Sequence, residues 1–320
     1  MVERPIIALT GATGFVGREV LRNLSNHSVY VRALVRSLPV RQLEANDALE
    51  WVSGDVSSEI ALSSLVSGAD TVIHLAGATK ARDADEFQKI NALSTAALVR
   101  RARAAGVRHF VHVSSLTAQR PAASAYARSK ADSETLAIEN AGSMALTIVR
   151  APAVMGPGDD ATKSLFSALS RGILPTPGGA AETFRFSLID VRDVSGFLVS
   201  LARGPAAGTR MIAPAGHLNL GWMDIAQSAE RVLGRPVRRI VIPAALMKVA
   251  GQGADLAVKL NGKPQVFSGG KVSELLSGHW IGDTQLPRAT PLDQTLERCL
   301  APFRRSAVDL EELGKRQAKT

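Results

Sequence analysis

Thr10-Gly11-Ala12-Thr13-Gly14-Phe15-Val16-Gly17 follows a short apolar run, Ile6 to Leu9, and precedes Arg18 to Leu24, where Val20, Leu21 and Leu24 recur at helical spacing. Strand, glycine turn and helix in that order predict the opening βα unit of an α/β fold. Gly11 gives the backbone angles for a sharp turn off the strand. Gly14 lets the chain approach a diphosphate, and Gly17 lets the helix pack close on the sheet. Free N–H groups at the helix start, around Thr13, Phe15 and Val16, then face an anion with the helix dipole behind them. That context, more than the glycines alone, points to dinucleotide binding.

The chain has 320 residues, too many for one minimal core, which predicts one large or two coupled domains. Its apolar content of 46% is that of a globular protein. A single cysteine, Cys299, excludes an internal disulfide framework and any multi-cysteine metal site; no metal is expected, and the thiol reads as a small buried hydrophobe. With no secretory signal and no long uncharged apolar run, a soluble cytoplasmic protein without an integral membrane segment is expected. The net charge of +9 attracts phosphates, acidic proteins and anionic lipid surfaces. Its basic clusters (Arg100, Arg101, Arg103; Arg235, Arg238, Arg239; Arg298, Arg304, Arg305) lack interleaved aromatic residues, so they read as solvated surface and not as a nucleic-acid site.

Further along, Val29 to Val35 reads as the second strand, ending at Arg36 and Ser37 with Arg41 beyond. A carboxylate at this strand end would hold the ribose 2′-hydroxyl of NAD; an arginine suits the 2′-phosphate of NADP, which is therefore favoured over NAD. Leu49 to Val52 is a third strand leading to Gly54-Asp55-Val56, where Asp55 is an adenine acceptor or a helix cap. Thr71 to Leu75, with a structural His74, is the fourth, closed by Ala76-Gly77-Ala78. A helical run from Phe87 to Ala105 carries Asn91, and His109 to Val113 is the fifth strand, followed by Ser114-Ser115. The run Tyr126-Ala-Arg-Ser-Lys130 opens the next helix, so Tyr126 and Lys130 share a face, with Arg128 and Ser129 turned to solvent. Leu146 to Val149 is the sixth strand.

Repeated βαβ units predict a Rossmann-type doubly wound parallel sheet with a smaller C-terminal mixed α/β lobe. Residues 1–152 form the NADP-binding domain, with 186–213 (strand, helix, last strand) returning to it. Residues 153–185 and 214–305 make the substrate lobe, and 306–320 a polar tail.

A hydride moving at carbon needs a matching proton at oxygen. Tyrosine, with a reference pKa of about 10, is a poor base unless positive charge favours phenolate. Lys130 one turn away supplies that charge, and Ser115 can orient the substrate oxygen.

With these motifs the chain resembles the extended short-chain dehydrogenase/reductases, the NAD(P)-dependent epimerase/dehydratase-like family. The resemblance runs from Ile6 to about Val194 through TGATGFVG at 10–17, HLAG at 74–77, NALST at 91–95, VSS at 113–115, YARSK at 126–130, RAPAVMGPG at 150–158 and DVRDV at 190–194. It implies that Tyr126 is the acid/base, that Lys130 holds the nicotinamide ribose and tunes Tyr126, and that Asn91 supports a water path to the lysine. It implies too that Asp55 and Val56 flank adenine, that Leu75, Ala76, Gly77 and Ala153 line the cofactor, and that a homodimer would fit. Ala12-Thr13 and Arg36 are more similar to the NADP(H)-using reductases, and to the branch with a respiratory complex I accessory subunit, than to the sugar-nucleotide enzymes with TGGAGFIG. Three readings follow: an NADP-dependent oxidoreductase interconverting a carbonyl and a secondary alcohol on a small-molecule substrate; a sugar-nucleotide epimerase or dehydratase with internal cofactor recycling; and a non-catalytic NADP(H)-binding accessory subunit.

Overall fold

The computed structural model describes residues 4–37 and 47–303. In its first half, strands and helices alternate as β1 (Ile6–Thr10), α1 (Phe15–Leu24), β2 (Tyr30–Val35), β3 (Leu49–Ser53), α2 (Glu59–Val66), β4 (Thr71–His74), α3 (Ala84–Phe87), α4 (Ser94–Ala104), β5 (His109–Ser115), α5 (Ala125–Ala141) and β6 (Ala145–Ala151). The second half holds β7 (Ala153–Met155), α6 (Lys163–Leu169), β8 (Ile173–Pro177), β9 (Phe186–Asp190), α7 (Val191–Arg203), β10 (Thr209–Ile212), β11 (Pro214–Ala215), β12 (His217–Leu220), α8 (Trp222–Leu233), β13 (Arg238–Ile242), α9 (Ala244–Asn261), α10 (Gly269–Leu276) and β14 (Thr284–Gln285).

Seven parallel strands form the main sheet in the order β10-β6-β5-β4-β1-β2-β3. Its central strands are apolar on both faces because helices cover both. Val20 and Leu24 of α1 pack with Leu198 and Val199 of α7 on one face. Leu62 of α2, Leu98 of α4 and Ala137 of α5 pack against Phe110 and Leu146 on the other. A third core, including Phe166, Leu174, Ile225 and Leu296, lies in the second half.

The glycine turn is as tight as its residues require. Gly11 has φ +73°, and a Cβ on Gly17 would lie 1.9 Å from the Gly11 carbonyl oxygen. Two sequence expectations change. β9 does not join the main sheet but pairs with β7 and β12 in a separate three-stranded sheet, while α7 and β10 do return to the first half. Arg298 is not solvated surface: its guanidinium turns inward onto the buried Asp190 carboxylate, which also accepts from Thr295 Oγ1 at 2.8 Å. A buried carboxylate needs such a partner, which outweighs exposure of one arginine. Arg304 and Arg305 lie outside the described residues. Cys299 is a buried free thiol whose pKa burial raises to about 12.

Candidate active site

β1 sits between β2 and β4, so the strand order reverses there and leaves a crevice at the carboxyl ends of the strands. α1 opens onto it with Gly14 as N-cap, no side-chain cap and no acidic residue in its first turn. α2, α5, α7 and α10 are instead capped by Ser58, Ser124, Asp190 and Ser268. A helix start left bare of side-chain acceptors fits a diphosphate. Thr13 and Gly14 are exposed there, with Phe15 and Val16 half-buried behind them.

Beside this cradle, Arg36 and Ser37 are exposed at the end of β2. Hydrogen bonds from Ser57 Oγ (2.6 Å) and Ser57 N (2.7 Å) hold the Asp55 carboxyl below its usual range, and the Arg36 charge adds to the effect. Ser58, not Asp55, caps α2; the Asp55 carboxylate is held by Ser57. Val56 is half-buried, and Arg41 lies outside the described residues. On the other side, the Leu75–Gly77 loop is pinned by Ala76 N donating to Thr10 Oγ1 (3.1 Å) and Ala78 N donating to Asn91 Oδ1 (2.7 Å). Ala153 is exposed on β7.

Asn91 lies in a π-helical turn, Gln88–Leu93, between α3 and α4. Its amide also donates to the Ala78 carbonyl (3.0 Å) and to Ser129 Oγ (2.9 Å), tying the loop after β4 to α5. Ser129 is therefore not turned to solvent: it is fully buried, donating to Tyr126 O at 2.8 Å, whereas Arg128 is exposed. The π turn pushes Asn91 toward α5, and that inward amide gives Ser129 a buried partner.

Ser115 and Tyr126 meet at the end of β5. The half-buried phenol is pushed above its usual pKa, chiefly by burial and further by the Glu274 carboxylate; the Lys271 ammonium and a hydrogen bond with Ser115 pull it back. Ser115 Oγ also lies 3.0 Å from Thr117 Oγ1, and the Tyr126 ring packs on Phe87 at 5.8 Å. The sequence assigns tuning of the phenol to Lys130; here Lys130 Nζ donates to the Val113 carbonyl at 2.9 Å, and the charges acting on Tyr126 come from α10. Lys130 is 5% exposed, and burial lowers its pKa to about 8 against the opposing Glu134 carboxylate.

Four contributors are absent from the sequence reading. Glu134, buried one turn beyond Lys130, accepts from Ser114 Oγ (2.5 Å) and pairs with Arg150 through Nη2 (2.6 Å) and Nε (3.0 Å). Its spacing of four from Lys130 was a readable signal. Ser124, Lys271 and Glu274 join α10 to the start of α5. Glu274 accepts from Ser124 Oγ at 2.5 Å and from Lys271 Nζ at 2.8 Å. Burial works against the Lys271 charge, but Glu274, with Tyr126 and Asp159, more than offsets it and holds the pKa above its ordinary value.

Beneath Lys130, His74 and His112 stack at 5.5 Å. Thr95 Oγ1 donates to Asn91 O (2.6 Å), so it accepts from His74 Nε2–H (2.9 Å), leaving Nδ1 to accept from Thr10 Oγ1 (2.7 Å). Burial and the Lys130 charge lower the His74 pKa to about 3 and hold His112 well below its usual value, so both stay neutral. His74 is thus a structural residue. Two cavities, one under the amino ends of β1, β4 and β5 and one between α2 and α4, lie away from this cluster.

Residues 7–221 match the NAD dependent epimerase/dehydratase family. The chain is 38% identical to a ceramide reductase of Caulobacter vibrioides, over 87% of this chain and 86% of that protein. It is 23% identical to a UDP-glucose 4-epimerase of Vibrio cholerae, over 81% of this chain and 86% of that one. Its fold superposes on the Bordetella bronchiseptica enzyme WbmH in complex with NAD+, with TM-score 0.66 and 17% identity, covering 94% of this chain and 99% of the other.

Proposed function

The chain belongs to the NAD dependent epimerase/dehydratase family, and from that premise we propose that it reduces a ketone on a long-chain lipid amide to the secondary alcohol, using NADPH. The observation that carries the carbonyl-reduction part of this reading is the Ser115–Tyr126 pair at the end of β5, where burial raises the phenol's pKa. A reduced nicotinamide, when bound, supplies the hydride to the carbonyl carbon. The chain's own residues do the rest. Ser115 Oγ donates a hydrogen bond to the carbonyl oxygen and fixes it in line with the phenol. Tyr126 gives its proton to that oxygen as negative charge develops there, and returns to neutral by taking a proton from solvent. A phenol whose pKa lies above the working pH begins each turnover protonated, the form that a proton donor to the carbonyl oxygen requires. Lys130, whose Nζ lies 4.0 Å from a Cβ built on Gly77, would hold the nicotinamide ribose. Arg36 and Ser37 would hold the 2′-phosphate, and Asp55 the adenine amino group. Residues 153–185 and 214–303 would form the substrate wall.

The lipid assignment rests on the name of the Caulobacter relative, at 38% identity. The competing reading, a sugar-nucleotide epimerase, rests on a weaker likeness at 23%. Stoichiometry separates them. Purified protein should oxidise NADPH one-for-one with loss of a ceramide whose secondary alcohol is replaced by a ketone, presented in mixed micelles, and should leave UDP-glucose unchanged. Turnover of a UDP-sugar with no net NADPH consumption would replace this reading with the epimerase. Tight NADPH binding with neither reaction would support an accessory subunit.

A further inference from the structure

α9 is apolar on two opposite faces. Met247, Gly251 and Val258 are buried, with a Cβ on Gly251 coming within 2.9 Å of Gly269 on α10, so this side packs onto α10. Leu246, Val249, Leu256 and Leu260 recur at spacings of three, seven and four on the other side and are 58% to 80% exposed. A helical period of 3.6 residues puts these four on one stripe, opposite the packed face. Ile240 and Val241, at the end of β13 just before the helix, are exposed as well. A surface helix whose outward stripe is its greasiest face has something to cover it.

The charge around the stripe selects the cover. Residues 235–263 carry Arg235, Arg238, Arg239, Lys248, Lys259 and Lys263 against a single acid, Asp255. That acid is turned inward, accepting from Gly269 N at 3.1 Å. Lys248 and Lys259 are exposed along one flank of the stripe. A second copy pairing through this face would bring lysines together with no free carboxylate on the helix to meet them. An anionic bilayer surface satisfies both features, taking the apolar side chains between its headgroups and the ammonium groups against its phosphates. The helix is about 27 Å long by its rise per residue, enough to lie flat, and among the described residues no helix is long and apolar enough to cross a membrane.

We propose that α9 is a docking helix that seats the protein on an anionic lipid surface, with Leu246, Val249, Leu256 and Leu260 inserted and Lys248 and Lys259 on the headgroups. α10 then lies between the membrane-facing helix and the site, since Glu274 of α10 is bonded to Ser124 at the start of the helix that carries Tyr126. The docking is independent of which carbonyl is reduced.

The test is flotation of the full chain, without substrate or cofactor, on phosphatidylcholine vesicles with and without phosphatidylglycerol. The wild type should float with anionic vesicles at least about tenfold better than with neutral ones, and high salt should release it. Lys248→Glu with Lys259→Glu should weaken binding by at least about tenfold, because each basic residue near such a surface contributes roughly fivefold. Leu256→Asp should do the same, and since this side chain is already exposed the variant should keep wild-type circular dichroism and melting. Leu256→Trp should be quenched by brominated lipid in anionic vesicles. The proposal fails if the wild type stays unbound, if binding survives both the charge reversal and Leu256→Asp, or if the introduced tryptophan is not quenched. It also fails if sedimentation shows a wild-type dimer that Leu256→Asp converts to monomer, because a second copy would then be the cover.

Discussion

Two walls meet at the Tyr126 phenol and are built on different terms. The sheet-side wall comprises Lys130, Asn91, Ser129, Glu134 and His74, all buried and joined by hydrogen bonds within the first 150 residues. The opposite wall is two side chains of α10, Lys271 and Glu274, the first 51% exposed and the second 5%. The buried wall fixes positions. The α10 wall sets the electrostatic field on the phenol, with Lys271 open to solvent and Glu274 buried behind it. Position and tuning are thereby divided between two parts of the chain about 140 residues apart in sequence.

Replacing the group between the walls should have the largest effect. Tyr126→Phe should lower turnover about a hundredfold to ten-thousandfold, the usual contribution of a positioned proton donor, with NADPH affinity by fluorescence titration unchanged. Wild-type turnover in that variant would remove the phenol from the mechanism. Next comes the buried wall itself. Glu134→Ala strands Arg150 and Ser114, and should cost about 3–5 kcal/mol in urea unfolding; a loss under about 1 kcal/mol would mean that this wall is not held by its ion pair.

The same wall predicts an acid limit. His74 and His112 have folded pKa values below those of the unfolded chain. Below pH 6.5 the unfolded state therefore binds more protons, and stability is lost as pH falls toward about 3. His74 alone should cost roughly 2 kcal/mol by about pH 5, and His74→Gln should flatten that limb in a pH series of denaturant midpoints. Away from both walls, Arg36→Asp should move the NADPH to NADH preference by about tenfold to a hundredfold, the worth of charge-assisted bonds to a phosphate. Unchanged relative affinities would place the phosphate elsewhere. The smallest effect bears most directly on α10. Lys271→Met removes the cation that pulls the phenol down, so the alkaline limb of ketone reduction should move to higher pH, and Glu274→Gln should move it the other way. A fixed limb in both would reduce α10 to a scaffold.

The sequence made one wall readable and left the other dark. The glycine turn, the strand ends at Arg36 and Ser115, and the Tyr126–Lys130 spacing are local patterns, because each rests on a single strand–helix unit. Asn91 was legible as a residue but its job was not, since the π turn that aims it at Ser129 leaves no mark in composition. Ser129 was misplaced for the same reason. Lys271 and Glu274 reach Tyr126 only through tertiary packing of α10 on the start of α5, and no periodicity joins residues so far apart. β9 reads as a strand by its apolar content, yet its sheet is decided by β7 and β12, which are too short to announce themselves.

The π turn at Gln88–Leu93 has a consequence for how this helix can vary. It holds one residue more than an α-helical path would need, so the segments on either side are out of phase by about 100°. Substituting a side chain there leaves that phase intact. Deleting any one residue between 88 and 93 would restore it, swinging Asn91 off Ala78 or Thr95 off His74. Beyond the Asn91 amide itself, chain length is what this stretch has to keep.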